Sequence, residues 1–218
     1  MEIFLNNFKS KSRHHYKLCE FIYPELKKIS NADILEFGVS DKAMSTYLFL
    51  EYSKTNNCKL YSIDNVDYAN KFNDANWKFI LTRDDDYSKV ESNIPKNFKL
   101  ILLDTIHEAS HVEKILYRYY DLLEINHCFF IDDISWLPYL KNAEKNRFYA
   151  EMNNHETFIR LLEIYINNKE NFNIEFNFIG TGMCKITKLN KLKLNKPIKI
   201  KTRHQSFKNF LRKILKRS

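Results

Sequence analysis

Five short apolar runs set the tightest limit on what this chain can fold into. They are "DILEFG" at 33–38, "CKLYSID" at 58–64, "WKFIL" at 77–81, "FKLILLD" at 98–104 and "HCFFIDD" at 127–133. Each has the length and composition of a buried strand and is too short for a buried helix. Each also ends on, or runs into, a carboxylate: Glu36 ahead of Phe37 and Gly38, then Asp64, then Asp84 to Asp86, then Asp104, then Asp132 with Asp133. Between the runs, apolar residues recur at helical spacing, as in Val112, Ile115, Leu116, Tyr119, Leu122 and Leu123. Strand and helix alternating through five units predict an α/β fold with a parallel sheet and helices on both faces.

The rest of the chain fits around that sheet. Ser12 to Lys28 reads as one leading helix, "DKAMSTYLFLEYS" as the helix after the first strand, and 147–168 as a late helix. "NIEFNFIGTGMCKITK" alternates apolar and polar residues about a Gly-Thr-Gly turn, the pattern of an antiparallel hairpin. Three glycines and four prolines in 218 residues leave Asn and Asp to supply much of the turn chemistry. The organisation expected is one domain over 1–188, opening with a helical segment over 1–30, followed by a basic tail over 189–218.

Charge is unevenly placed. The net charge is +8, yet Lys185 to Ser218 holds 13 Lys or Arg and no acid, so the body before it is net acidic. Such a block suits an anionic partner, a membrane surface or nucleic acid, or serves as a solvated tail. Cys19, Cys58, Cys128 and Cys184 are scattered, without a CxxC pair, and read as reduced, buried thiols of a cytoplasmic protein. The first residues lack the basic-then-apolar plan of a signal peptide.

Right-handed crossovers bring all five strand C-termini to one edge of a parallel sheet, where open α/β sheets bind ligands. The acids are therefore candidates for one shared site. Asp64, closing the second strand with Asn65 beside it, suits the two hydroxyls of a ribose. Gly38 lets backbone approach a ligand closely. The helix that follows offers free N–H groups to an anion. Asp84 or Asp85 can accept from an adenine amino group. Asp104, Asp132 and Asp133 present oxygen only, as Mg²⁺ prefers; the competing role for Asp132 and Asp133 is capping. His107, three residues after Asp104, is placed to take a proton near neutral pH. His111 ranks below it. His14 and His15, on the leading helix, line a substrate mouth or lie on the surface.

Taken in order, "ILEFGVSDKAMST", "LYSID", "LLDTIH" and "FFIDD" resemble the class I S-adenosylmethionine-dependent methyltransferases. The likeness is strongest to the small-molecule O-methyltransferase group of macrocin-type and cephalosporin-hydroxylase-like proteins. It runs from Asp33 to Lys188. It implies a Rossmann-like, mostly parallel seven-stranded sheet closed by the antiparallel hairpin. It implies methyl transfer to a hydroxyl of a sugar, glycan or other small molecule. Glu36, Gly38, Ser40, Asp64, Asn65, Asp84 and Asp85 then bind S-adenosylmethionine, Asp104, Asp132 and Asp133 hold Mg²⁺, and Asp104 and His107 are catalytic. The chain departs from the group at Ser40, at Asp41 to Ala43 and at Thr105, where glycines are expected.

Phe207, Phe210, Leu211, Ile214 and Leu215 make an apolar stripe among Lys and Arg over 206–218. A basic amphipathic helix of this kind lies on an anionic membrane face or docks on its own domain. A competing reading of the whole chain is a catalytically inactive binding module that engages an anionic partner through this tail. A nucleic-acid methyltransferase fits poorly, since no N/D-P-P-Y/F segment occurs.

Overall fold

Parallel strands buried on both faces need apolar side chains pointing both ways, and the five runs supply them. The computed structural model describes residues 1–135, 148–200 and the single positions 207, 211 and 215. The strands are β1 (Asp33–Phe37), β2 (Lys59–Asp64), β3 (Trp77–Leu81), β4 (Phe98–Leu103), β5 (Leu123–Asp132), β6 (Phe172–Asn177) and β7 (Met183–Lys188). They form one seven-stranded sheet in the order β3-β2-β1-β4-β5-β7-β6. The first five are mutually parallel, and β7 runs antiparallel to both β5 and β6. The strand order reverses direction between β1 and β4, which puts the ligand crevice of such a sheet beside their C-terminal ends.

Alternate residues feed two cores. Leu35, Phe37, Ile101, Leu103, Phe129 and Ile131 face one layer. That layer is built from α5 (Tyr87–Glu91), α6 (Ala109–Tyr119) and α7 (Phe148–Ile166). Ile34, Leu100, Leu102, Cys128 and Phe130 face the other. Its helices are α1 (Glu2–Lys9), α2 (Arg13–Phe21), α3 (Tyr23–Leu26) and α4 (Met44–Asn56). All four cysteines are buried and free of disulfides. Among the described residues no helix is long and apolar enough to cross a membrane.

Three features differ from the sequence reading. The single leading helix is α2 followed by α3, preceded by α1; Ser12 caps α2 by accepting from the His15 N–H, and Pro24 lies in the first turn of α3. Proline has no N–H to continue a helix and fits a first turn. Next, no helix joins β2 to β3. In that connection Asp64, Asp67 and Asp74 each accept the N–H two residues on, at 2.9 Å in every case. These Asx turns compete with helical hydrogen bonding. Last, β5 starts at Leu123 rather than His127. Its pairing with β4 shifts register between Phe98 and Leu100, and Asn126 has φ +64°.

The basic tail is not free from its start. Residues 189–200 lie as a strap along α6 and α7. Asn195 exchanges bonds with Asn168 (N–H to Oδ1 2.7 Å, Nδ2 to the Asn195 carbonyl 2.9 Å). The Asn195 carbonyl also accepts from the Tyr117 hydroxyl at 2.5 Å. The Ile198 N–H donates to the Glu163 carbonyl at 3.0 Å. Phe207, Leu211 and Leu215 are helical and exposed; the other positions of the expected 206–218 helix lie outside the described residues.

Candidate active site

Five parallel strands finish on one edge, and the loop after β1 sets the geometry there. Gly38 has φ +94°, and a Cβ on it would stand 1.9 Å from the Asp104 carbonyl oxygen. Only glycine fits where two strand ends approach so closely. Beyond it, Ser40 (φ +59°) and Ala43 (φ +43°) adopt the left-handed backbone that glycine favours. The loop therefore takes a glycine-type path at two positions occupied by Ser and Ala where the resemblance leads one to expect glycine, at about 1–3 kcal/mol of strain each. Ala43 delivers the chain into α4, whose N-terminus has no side-chain cap and no acid in its first turn.

Asp64 holds this loop. Its Oδ2 accepts from the N–H groups of Val39 at 2.8 Å and Ser40 at 3.3 Å, and its Oδ1 accepts from Val66 at 2.9 Å. A carboxylate offers roughly four acceptor directions, so capacity for a ligand hydroxyl remains. Glu36 acts from beneath. It is fully buried and accepts from Ser45 at 2.5 Å, Thr46 at 2.9 Å and Ser62 at 2.6 Å. Burial raises its carboxyl to about 7, against the opposing pull of those three hydroxyls. Glu36 therefore pins the first turn of α4 to the sheet and does not line the cavity.

That cavity, about 240 Å³, is lined by Gly38, Ser40, Asp64, Asn65, Asp84 and Asp104, with Thr82, Arg83, Thr105 and Ile106 among the rest. Of the two acids proposed for an adenine amino group, Asp84 lines it. Asp85 turns to Arg83, which grips it through two bonds of 2.8 and 2.9 Å and lowers its carboxyl. Asp84 is buried; its Oδ2 accepts from the Thr105 hydroxyl at 2.5 Å and lies 2.8 Å from His111 Nε2. Thr105, standing where a glycine was expected, thus directs its hydroxyl at Asp84.

At the other end of the crevice, His107 Nε2 lies 3.7 Å from Asp104 Oδ1 and 3.5 Å from Asp133 Oδ2. Desolvation, then the carboxylates of Asp132 and Asp133, push the Asp104 carboxyl well above its ordinary range, with Lys17 opposing. Asp133 follows the end of β5 with a left-handed backbone, φ +55°. Asp132 takes a different course from the one expected: it is buried in an ion pair with Lys17 of α2. Among the described residues, the acids and histidine whose ligand atoms lie within 4.8 Å of one another are Asp84, Asp85 and His111, not Asp104, Asp132 and Asp133.

Lys17, Arg83 and the role of His111 escaped the sequence reading. Lys17 carried one signal: it falls on the same helical face as His14, Leu18 and Phe21. His14 and Lys17 meet Asp104 and Asp132 across a small void. His15 instead packs against Phe8 and accepts or donates at Ser12.

No family model matches this sequence, and no curated protein matches it. Solved structures do. The MycE methyltransferase from the mycinamycin biosynthetic pathway, in complex with Mg and SAH, aligns over 88% of this chain and 56% of its own at 14% identity, TM-score 0.64. The same protein was also solved with Mg, SAH and mycinamycin VI. The present chain thus spans about half the length of MycE. An SAH-bound methyltransferase from Podospora anserina aligns over 85% of this chain and 86% of its own at 13% identity, TM-score 0.57. The N-methyltransferase NodS from Bradyrhizobium japonicum aligns over 84% and 99% at 11% identity, TM-score 0.54. The fold is that of the class I methyltransferases, and at these identities the likeness is one of fold.

Proposed function

We propose that the protein is an S-adenosylmethionine-dependent O-methyltransferase acting on a small-molecule hydroxyl, with a sugar or glycan hydroxyl as the favoured acceptor. One observation carries this reading. In a methyltransferase fold, a single sheet-edge cavity is lined by Gly38, Asp64, Asp84 and Asp104, and His107 stands beside Asp104. These residues fit the cofactor. Gly38, lacking a Cβ, lets the ends of β1 and β4 close against each other at the cavity. The uncapped N-terminus of α4 offers N–H groups to a carboxylate. Asp64 has acceptor capacity for ribose hydroxyls, and Asp84 for an exocyclic amine. When bound, the cofactor supplies a methyl group already activated on a sulfonium.

The chain's own task is alignment and proton removal. A hydroxyl oxygen forms the new bond to carbon while the carbon–sulfur bond breaks, and the hydroxyl proton must leave. His107 is the base we assign to it. Asp104 and Asp133 flank its ring, and the Asp133 carboxylate, 3.5 Å away, favours the positive charge that the ring acquires. Mg²⁺ does not fit all three of Asp104, Asp132 and Asp133 together, because Lys17 already pairs with Asp132. No step is therefore routed through a metal. The acceptor atom rests on the Asp104–His107 arrangement, since NodS shows that the fold also serves N-methylation.

Calorimetric titration with S-adenosylmethionine and SAH tests the reading. Saturable binding that Asp64→Ala weakens at least about tenfold is expected, since a lost charged hydrogen bond costs about 1.5–3 kcal/mol. Transfer of labelled methyl to a panel of sugar and phenol hydroxyls then names the acceptor. Absence of cofactor binding by the folded chain would leave a scaffold that has only the fold.

A further inference from the structure

Lys17 is fully buried, and nothing in the proposed chemistry uses it. An ammonium has three N–H donors and no acceptor, and each donor here has an oxygen. Its Nζ pairs with Asp132 Oδ1, donates to Thr181 Oγ1 at 3.1 Å and donates to the Gly182 carbonyl at 3.2 Å. A carboxylate, a hydroxyl and a carbonyl around a buried cation are the oxygen set of a metal site, with the ion attached to the chain. Gly182 is fixed for this: φ is +85°, and a Cβ there would stand 1.6 Å from the Ile134 carbonyl oxygen. Its carbonyl is thereby held at the mouth of the β6–β7 turn, beside the end of β5.

The surroundings bear on whether a second cation fits. The void shared by His14, Lys17, Ser40, Asp104 and Asp132 is about 20 Å³. That is room for about one water. Mg²⁺ holds octahedral geometry and usually keeps several waters. A divalent ion on Asp132 would have to expel the ammonium or be buried against it. A buried charge is tolerated only when paired, and Lys17 comes with its own partner across 115 residues of sequence.

We propose that Lys17 is the resident cation of this acidic cluster, filling at Asp132 the place a divalent ion would otherwise take. Lys17 is thus a positioning residue. It ties the leading helix to the end of β5, holds Asp132 back from the cavity, and leaves Asp104, His107 and Asp133 as the groups that face an acceptor. The inference rests on charge and space around Lys17 and stands apart from the methyl-transfer reading.

Mn²⁺ binding to the full chain, read by electron paramagnetic resonance without cofactor or acceptor, is the test. Millimolar or weaker binding at this cluster is expected in the unmodified chain. Lys17→Met should tighten it at least tenfold, and adding Asp132→Asn to that variant should cancel the gain. Unchanged Mn²⁺ affinity in a folded Lys17→Met protein would overturn the proposal. So would micromolar binding by the unmodified chain that Asp132→Asn or Asp104→Asn abolishes, an outcome readable even where Lys17→Met does not fold. Cofactor titration of the same samples fails or succeeds separately, so the two readings fall independently.

Discussion

The Cα of Gly38 faces the Asp104 carbonyl so closely that an added Cβ would stand 1.9 Å from that oxygen. This contact joins β1 to β4 at the switch in strand order, where the Asp104 N–H also donates to the Phe37 carbonyl at 2.8 Å. Gly38→Ala must therefore separate two central strands and also hold alanine at φ +94°. A loss of about 3–5 kcal/mol in urea unfolding is expected, at the severe end for single substitutions. Any folded fraction should fail to bind cofactor by calorimetry.

Glu36 gives a prediction in pH. Its carboxyl ionises at about 7 in the fold against 4.5 ordinarily, because it is buried. Between those values the native state holds a proton that the unfolded chain has released. Stability from this group is full below 4.5 and is lost as pH rises through about 7. Glu36→Gln cannot ionise, so its stability should fall less over that interval, by up to about 3 kcal/mol relative to the unmodified chain. Urea unfolding at stepped pH measures it; parallel curves would refute the buried, three-hydroxyl environment.

The sequence was most legible where one physical signal acted alone. Apolar runs stopped by Asp64 and Asp104 marked strand ends, because a buried parallel strand has no other pattern. The missing helix after β2 was hidden because strand–helix alternation was carried through all five units, whereas the side chains of Asp67 and Asp74 close turns. The inward course of Glu36 was hidden too. Its hydroxyl partners come from α4 and from Ser62 of β2, and pairing across elements leaves no periodicity. Asp132 looked like a ligand for want of Lys17, which lies on α2 and reaches the site only through the tertiary fold.

His107 carries the prediction on activity. Its Nε2 lies 3.7 Å from Asp104 and 3.5 Å from Asp133, and the ring is not among the groups that line the cavity proposed for the cofactor. His107→Ala should lower turnover by about 10²–10⁴, the span of general-base assistance. Cofactor affinity should stay within about threefold, a change of less than about 1 kcal/mol. Single-turnover kinetics with calorimetry on the same samples separates the two. Equal turnover in the variant would return the proton-accepting role to Asp104.

The strap over 189–200 is bonded to the domain, although it belongs by composition to the basic tail. Asn168 and Asn171 are buried beneath the strap and bond the backbone of Asn195 and Lys193. Removing 190–218 strips those partners and takes away Leu194, which packs on the main core. A cost of about 2–4 kcal/mol is expected from the lost bonds and apolar cover. Removing 201–218 breaks none of these bonds and should cost less stability than removing 190–218. The same deletion takes away Phe207 and Leu211, exposed on one helical face, together with seven Lys or Arg. Sedimentation with phosphatidylserine vesicles should fall to background in this variant and should fall with added salt in the full chain, as the proposed contact with an anionic bilayer requires. Equal sedimentation of the two proteins would show that the strap and the domain, not the terminal helix, hold whatever membrane affinity the chain has.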